Sequence, residues 1–430
     1  MKRVLIIVYY WPPTGGSGVQ RWVKFAKHLR SFGWEPVIFT PDKPFVTERD
    51  ESLLKDIPSD IEVIRHPVFE ISKYFGGAPT APTSSAQAKP SLFSKIKKAV
   101  GNYVRGNYFI PDPRILWLRP SVKFLTKYLQ QNPVNAIVSS GPPHSLHLIA
   151  KQLKEKTGTP WVADFRDPWL EILNFHGFST SPSVIAKHTA LFKGVINTAD
   201  ATIAAHPSVQ QSFQLQTKQP VHLITNGYDI ADIQAAIPAQ VENSKFNMVF
   251  VGIFYGILNS SLFWEAIQEL LKENTAFSKQ LTITFVGKAQ QQVMDDLQKY
   301  ELLPYCEFTG YVNHNIAVGY EKAADVLLLF TPSKPEFKYV IPGKVFEYMA
   351  VNKPVLCVAE GDNDSALIIK QANAGAIVSP KDKAGIKAAI LKLYQAHQSG
   401  TVTSVSSGYE KYERKAQTEV LANILNQLKK

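Results

Sequence analysis

Apolar runs alternate with segments of helical periodicity along the whole chain. Residues 3–10 form a β-branched run, and residues 19–29 then place apolar side chains every three to four positions, the spacing of one helix face. The same succession of strand, glycine loop and helix returns at residues 246–270. Parallel sheets covered by helices require this alternation. The pattern predicts an α/β fold with two Rossmann-like, doubly wound parallel sheets.

Further strands are predicted where short apolar runs are bounded by turn residues. In the first half these are Pro36–Thr40, Ala136–Ser140, Trp161–Ala163, Ala201–Ala204 and Val221–Ile224. In the second half they are Thr282–Val286, Cys306–Thr309, Val326–Phe330, Pro354–Ala359 and Ala376–Val378.

The length of 430 residues is more than one compact core usually holds, so two domains are expected. Residues 236–245 lack apolar periodicity and are typical of a linker. We predict an N-terminal domain over residues 1–228 and a C-terminal domain over residues 229–408. Residues 409–430 have helical spacing, and we expect this segment to pack back on the first domain.

Basic residues are distributed unevenly. The formal net charge is +11; residues 1–225 contain 27 Lys and Arg against 15 Asp and Glu, and the remaining residues contain 20 against 21. An anionic partner of the first half would explain the excess: a membrane surface or a phosphorylated acceptor. Nucleic acid is disfavoured because no recognisable binding module accompanies the charge. Simple solubility explains the excess equally well.

The chain also lacks the segments that would direct it into or across a membrane. No stretch reaches the roughly 18 to 20 apolar residues of a spanning helix, and the start has no signal-peptide cleavage pattern. Only Cys306 and Cys357 occur, both among apolar residues, which argues against a disulfide framework and a cysteine metal site. We expect a cytoplasmic protein.

Residues 76–105 combine a loop rich in Pro, Ala, Ser and Thr with a basic amphipathic stretch at residues 92–104. Apolar side chains on one face and lysines elsewhere are typical of a helix lying on an anionic bilayer. A basic surface helix packed on its own domain is the alternative.

Two glycine-rich or helix-opening motifs could bind an anion. Gly15, Gly16 and Gly18 lie between a strand and a helix N-terminus, where exposed N–H groups and the helix dipole favour negative charge. Their spacing is not that of the dinucleotide fingerprint, and a tight turn is the alternative. In the second half, the run PGKVFEYMA places Lys344 at a helix start and Glu347 in its first turn. Lysine would offset diphosphate charge, and a carboxylate can accept two hydrogen bonds from a ribose diol.

That run, extended to PGKVFEYMAVNKPVL and combined with YYWPPTGGSGVQR, SSGPPHS, ADFRDPW and TNGYD, resembles the family-four glycosyltransferases of the GT-B fold. The motifs occur in the family's order over nearly the whole chain. The resemblance implies two Rossmann-like domains facing a cleft. It also implies a hexosyltransferase-type enzyme that transfers sugar from a nucleotide-sugar donor with retention, using neither metal nor cofactor. The implied setting is bacterial surface polysaccharide or lipopolysaccharide synthesis.

The resemblance assigns donor-binding roles. Glu347 matches the second Glu of the family's E-x7-E motif, which holds the ribose, while Tyr339 stands where the first Glu should contact the sugar. After Gly252 the family has an Arg and, further on, a Lys; this chain has Ile253 and Asn259. Because both cations are missing, Lys344 is the residue expected to neutralise the diphosphate, which should lie near Gly15 and Gly16.

The acceptor-side candidates lie in the first half. Asp164 ends a strand where relatives place a His facing the reacting sugar, so it is predicted to be catalytic, with Glu347 as its partner on the donor side. The alternative is a structural Asp164 that caps a turn and pairs with Arg166. His144, Arg166 and Arg21 complete the acceptor-side set.

The sequence Asp362-Asn-Asp364 has the spelling of a metal-binding motif, but it opens a helix. Helix capping by Asp364 or Ser365 is the simpler interpretation. Because the turn follows a predicted strand, backbone amides around Ser365 are predicted to contact the donor sugar.

The sequence therefore predicts a nucleotide-sugar glycosyltransferase with a UDP- or GDP-type donor and a glycan or lipid-linked acceptor. The basic excess is compatible with peripheral contact with an anionic membrane. Two alternatives stay open. One is a GT-B-shaped nucleotide-sugar 2-epimerase. The other is a catalytically degenerate protein that binds nucleotide or lipid.

Overall fold

The structure is a computed structural model that describes residues 1–15, 17–44, 49–69, 107–171, 181–242, 244–401 and 406–429. The chain divides into two compact units. The first comprises Met1–Thr225 and Gln417–Lys430, and the second comprises Asn226–Ala416. The segment 76–105, predicted to be a loop and a membrane-surface helix, and Gly16 lie outside the described residues. Within the described part of the chain, no helix has the length and apolar character needed to cross a membrane.

The first unit is built on a parallel sheet of seven strands in the order β3-β2-β1-β4-β5-β6-β7. These strands are β1 (Lys2–Ile7), β2 (Trp34–Asp42), β3 (Glu62–Pro67), β4 (Ala136–Gly141), β5 (Trp161–Phe165), β6 (Ala201–Ala204) and β7 (Val221–Leu223). The central strands β4 and β5 are buried along their whole length, as expected when helices cover both faces.

Helices cover this first sheet. They are α1 (Ser17–Leu29), α2 (Leu118–Gln131), α3 (Ser145–Thr157), α4 (Pro182–Thr198) and α5 (Pro207–Gln214). The periodic apolar positions predicted for α1 are buried and pack with Val4 and Ile6 of β1. A helix whose apolar stripe faces a β-branched strand buries both surfaces at once.

The second unit repeats the design with six parallel strands in the order β10-β9-β8-β11-β12-β13. They are β8 (Phe246–Val251), β9 (Leu281–Val286), β10 (Cys306–Phe308), β11 (Val326–Phe330), β12 (Val355–Val358) and β13 (Gly375–Val378). Its helices are α6 (Ile230–Ala235), α7 (Ser261–Glu273), α8 (Thr275–Gln280), α9 (Gln291–Lys299), α10 (His314–Ala323), α11 (Lys344–Ala350), α12 (Asp364–Gln371) and α13 (Lys383–Gln398).

The last helix, α14 (Arg414–Gln427), begins in the second unit and continues into the first. Its residues Leu421, Ile424 and Leu425 are buried in the first unit's core with strand β1. The preceding Tyr412 packs on Phe346 of the second unit. The chain passes from one unit to the other after Thr225 and again after Ala416, whereas the sequence analysis predicted these changes after residues 228 and 408.

Each sheet reverses its strand order once. In the first sheet, β1 pairs with β2 on one side and with β4 on the other; in the second, β8 pairs with β9 and β11. The loops that leave β1 and β4, and those that leave β8 and β11, consequently diverge to opposite faces of their sheets. Open α/β sheets bind ligands in the crevice that opens at such a point, outside the carboxyl ends of the strands.

Candidate functional site

Helix α11 begins at the reversal point of the second sheet. Lys344 is its first residue and Glu347 lies in its first turn. The Lys344 Nζ donates to the carbonyl oxygen of Val251, the last residue of β8, over 2.9 Å. The loop from β11 thus brings the helix N-terminus to the end of the neighbouring strand, as its position after an irregular Pro-Gly turn predicts.

The Lys344 ammonium group has an unusual environment. Its Nζ lies 3.4 Å from the centre of the Phe250 ring, a cation–π geometry, in addition to its bond with Val251. Burial disfavours the charged form and lowers the pKa of Lys344 to about 7, although the Glu321 carboxylate opposes this shift. The charge of Lys344 therefore changes near neutral pH.

Glu347 remains accessible from solvent. Its side chain is 22% exposed, and its Oε1 lies 2.8 Å from the Nε2 of His314, the first residue of α10. With Oε1 bonded to His314, the second carboxylate oxygen of Glu347 can still accept a hydrogen bond from a ligand hydroxyl group. His314 was not predicted, because no periodicity or spacing relates it to the Lys344–Glu347 motif.

Glu321 also lies on α10, seven residues after His314. It is fully buried, and neither carboxylate oxygen has a hydrogen-bond partner among the described residues. Burial and the nearby Glu347 raise the pKa of Glu321 well above its usual value, while Lys344 acts in the opposite direction. A buried carboxyl group without partners costs stability, so packing alone gives no reason for it. No pattern in the sequence indicated Glu321.

The glycine at the end of β8 has a backbone role. Gly252 has a φ of 105°, and a side-chain carbon at Gly287 would lie 2.2 Å from the Gly252 carbonyl oxygen. The loops that leave β8 and β9 can therefore approach each other this closely only because both positions are glycine. The next residue, Ile253, carries no charge and is exposed.

Asn259, where the resembling family has a Lys, is used inside the protein. Its Nδ2 donates to Asp296 over 2.8 Å, and its Oδ1 accepts from the Trp264 indole over 2.7 Å. These two bonds hold the loop after β8 against α7 and α9. Lys344 is accordingly a cation that this unit places at the end of β8.

The turn before α12 holds the loop that carries Tyr339. Asn363 is the helix cap, accepting from the Ser365 backbone over 2.9 Å, so the expected capping by Asp364 or Ser365 is wrong. The Ser365 hydroxyl donates to the carbonyl of Val340 over 2.9 Å. Because its hydroxyl and amide are both used in this way, Ser365 fixes the loop rather than presenting a donor to a ligand.

Tyr339 occupies the loop fixed by these bonds. It is partly buried, one residue before Val340, and Asp364 donates its backbone N–H to Lys338 over 2.8 Å on the other side. The residues on both sides of the position expected to contact the transferred sugar are thus bonded to α12 through their carbonyl oxygens.

Asp164 lies in a buried cluster of the first unit. Its oxygens accept from Arg21 Nη2 at 2.9 Å, Trp22 Nε1 at 3.1 Å and Ser140 Oγ at 2.7 Å, and both Asp164 and Arg21 are fully buried. This geometry differs from both sequence hypotheses. The carboxylate has no face open to a sugar, and its ionic partner is Arg21 rather than Arg166.

The same cluster reaches the end of the first unit. Arg21 also donates to the carbonyls of Ile224 and Thr225, and Gln417 of α14 donates to Thr225. Arg21, predicted on the acceptor side, therefore ties α1 to β5 and to the residue where the chain leaves this unit. Burial and hydrogen bonding both favour a structural role for Arg21 and Asp164.

Arg166 and His144 lie together at the reversal point of the first sheet. Arg166 donates to the Pro142 carbonyl, and its guanidinium packs so closely on Gly18 that a methyl group there would lie 1.6 Å from Nη1. The His144 ring stacks on Trp169 at 4.6 Å, and neither ring nitrogen has a partner among the described residues. Burial lowers the pKa of His144 well below its usual value, so its ring is neutral.

Gly15 lies in the loop after β1, where an added side-chain carbon would lie 3.2 Å from the Asp50 Cβ. The described part of the first unit thus brings together Gly18, His144 and Arg166, whereas Gly15 contacts Asp50. The second unit brings together Gly252, Lys344 and Glu347, and adds His314 and Glu321. Among the residues that the structure describes, no group of three or more His, Cys, Asp or Glu side chains could hold a metal ion.

With this geometry established, known proteins give a point of comparison. Residues 245–396 match the family model described as Glycosyl transferases group 1. The matched stretch runs from β8 through most of α13 and includes Lys344 and Glu347. No curated protein matches the sequence.

Solved structures extend the likeness to the whole chain. Anabaena Alr3699/HepE, in complex with UDP and glucose, has a TM-score of 0.60 at 13% identity, covering 100% of both chains. The lipopolysaccharide outer core galactosyltransferase WaaB has a TM-score of 0.57 at 14% identity, also over 100% of both chains. The UDP-GlcNAc 2-epimerase from Methanocaldococcus jannaschii has a TM-score of 0.53 at 10% identity, over 99% of each.

At such low identities these likenesses show the fold. The predicted α/β architecture, with two parallel-sheet Rossmann-like units, is confirmed as the GT-B fold. The family match adds that residues 245–396, in the second unit, are similar to the glycosyl transferases of group 1.

Proposed function

We propose that this protein is a retaining, hexosyltransferase-type glycosyltransferase that moves a sugar from a nucleotide-sugar donor to a glycan or lipid-linked acceptor. We place it in the cytoplasm, in family-four-like bacterial surface polysaccharide or lipopolysaccharide synthesis. The sequence motifs, the match over residues 245–396 and the names of structural neighbours that carry UDP or act on lipopolysaccharide support this proposal.

The arrangement of Lys344 and Glu347 carries the proposal. Both lie in the first turn of a helix that begins at the ligand-binding edge of a doubly wound sheet, within the stretch that matches the family. In this proposal Glu347 accepts hydrogen bonds from the ribose diol. Lys344, with the helix N-terminus behind it, balances the charge that develops on the departing diphosphate.

The chemistry needs no resident metal or cofactor in this proposal. The leaving phosphate oxygen takes the proton of the acceptor hydroxyl on the same face of the sugar, which retains the anomeric configuration. Tyr339 replaces the carboxylate that would contact the sugar. On the first unit, Arg166 and the neutral His144 are the acceptor-side residues, and a positive guanidinium suits a phosphate-bearing lipid-linked acceptor.

The central experiment compares wild type with Glu347→Gln. The full chain is incubated with radiolabelled UDP-sugars and GDP-sugars, with and without a bacterial lipid extract, and nucleotide release is measured. Losing the charged acceptor of the ribose hydroxyls should reduce release by about tenfold or more. Glu307→Gln, an exposed carboxylate of the same unit, is the control. Equal release from Glu347→Gln and wild type would contradict the proposal.

The same reactions test the alternatives. The likeness to the M. jannaschii 2-epimerase favours, as a second candidate, an enzyme that converts the donor sugar without any acceptor. Chromatography of the recovered nucleotide sugar from reactions without lipid extract would reveal such conversion. Nucleotide binding without release or conversion would identify a degenerate binding protein, which Tyr339 and the missing Arg/Lys pair would permit.

A further inference from the structure

Helix α10 contributes a side chain to the proposed ribose site. His314 is the first residue of α10 and lies well apart in sequence from α11, yet its Nε2 is 2.8 Å from Glu347 Oε1. The side chains are 46% and 22% exposed, so the pair lies at the surface of the site rather than in the core. When Nε2 carries the proton, it donates to the carboxylate.

This contact restricts the Glu347 side chain. A partly exposed glutamate populates several rotamers, and ordering it costs free energy when a ligand binds. A donor on Oε1 selects one orientation beforehand and leaves Oε2 available. Because two neighbouring hydroxyls must meet one carboxylate, the orientation of that carboxylate determines whether both hydrogen bonds form.

We propose that His314 is a positioning residue for ribose recognition: it fixes the Glu347 carboxylate so that a nucleoside diphosphate with an intact 2′,3′-diol binds preferentially. This inference rests on the proposed role of Glu347 and goes beyond it, because it names the residue that makes the site selective for the diol. His314 acts through Glu347 and need not touch the ligand.

The test measures binding to the full chain by isothermal titration calorimetry. UDP and GDP are titrated, and the one that binds more tightly is compared with its 2′,3′-dideoxy analogue. Wild type should prefer the intact ribose. His314→Leu should weaken binding of the intact nucleotide by about tenfold and leave the dideoxy analogue nearly unchanged, because that analogue makes no use of Glu347.

A conservative variant separates positioning from packing. The side-chain amide nitrogen of His314→Gln can take the place of Nε2 and donate to Oε1, so this variant should recover most of the preference for the diol. The matched control is His397→Gln. His397 Nδ1 lies 3.2 Å from Asp325 Oδ1, a second histidine–carboxylate pair of the same unit but away from α11, and this variant should bind both ligands like wild type.

A double variant checks the coupling. If His314 acts through Glu347, adding His314→Leu to Glu347→Gln should cause no further loss of affinity for the intact nucleotide. A wild-type preference for the diol that Glu347→Gln abolishes but His314→Leu preserves would overturn the inference and leave the proposed function standing. If neither UDP nor GDP binds, or wild type does not distinguish the analogue, the proposed function fails and this inference with it.

Discussion

At the scale of single residues, a group of electrostatic anomalies lies around the start of α11. Lys344 lies over Phe250, and Glu321, which interacts with it electrostatically, is buried without a hydrogen-bond partner among the described residues. Perturbed ionisable groups at the ligand-binding edge of a sheet are typical of functional sites. The sequence motif identified Lys344 and Glu347, because both belong to one helix turn. It could not identify His314 and Glu321, which reach the same place from a different helix.

The charge of Lys344 leads to a prediction about pH. Burial lowers its pKa from 10.5 to about 7, so the fraction of ammonium falls as the pH rises through 7. Affinity for UDP or GDP should therefore fall by about tenfold between pH 6 and pH 8.5, since an anion loses its counter-charge.

Fluorescence or calorimetric titrations over this pH range would measure the effect. Lys344→Gln should bind weakly and lack this decrease, which separates the lysine from titration of the nucleotide's own phosphate. A wild-type affinity that stays constant or rises across the range, with Lys344→Gln following the same course, would remove Lys344 from the binding site.

At the scale of secondary-structure elements, one buried carboxylate joins several parts of the first unit. Asp164 on β5 binds Arg21 and Trp22 of α1 and Ser140 of β4. Arg21 also binds Thr225 at the end of this part of the chain. The position of Asp164 at a strand end suggested a catalytic role. In the structure, Arg21 of α1 pairs with this carboxylate and both side chains are buried, so no substrate can reach it.

This arrangement predicts a loss of stability for Asp164→Asn. Removing one charge of a buried pair leaves the Arg21 guanidinium uncompensated, which typically costs about 3 to 5 kcal/mol. The urea midpoint of the first unit should fall accordingly, as followed by tryptophan fluorescence. Asp167→Asn, on a half-exposed neighbour, should change it little. Unchanged stability together with lost turnover would instead return Asp164 to the catalytic role predicted from the sequence.

The strands also differ in how well their sequence patterns predicted them. The apolar strands β6 and β11 begin and end where the pattern predicted. Strand β3 was missed. It lies at the edge of the sheet, pairs only with β2, and carries Glu62, Arg65 and His66 in partly or fully exposed positions. An edge strand buries too little surface to need a continuous apolar run.

At the scale of the whole molecule, the charge asymmetry is the most general feature. The first 225 residues carry the entire basic excess, and a lipid-linked acceptor would bring this part of the chain to a membrane surface. Electrostatic attraction to anionic lipid depends on ionic strength, because salt screens exposed charges.

The proposed peripheral contact can be tested by sedimentation. The full chain should pellet with vesicles containing about a third phosphatidylglycerol, and most of it should be released when the salt rises from about 0.05 to 0.5 M. Vesicles of phosphatidylcholine alone are the control and should retain little protein. Equal sedimentation with both vesicle types, or sedimentation insensitive to salt, would contradict an electrostatic contact.

The sequence by itself determined the two parallel sheets, most strand positions, and the motif that places Lys344 and Glu347 in one helix turn. These features depend on local periodicity and on neighbours along the chain, which a sequence displays directly. Tertiary structure alone decided that Asp164 is enclosed by Arg21, that Ser365 holds a loop, and that His314 and Glu321 face α11. Each of these depends on which distant segments pack together, and the strand order and helix orientation that bring them into contact leave no periodic signal in the chain.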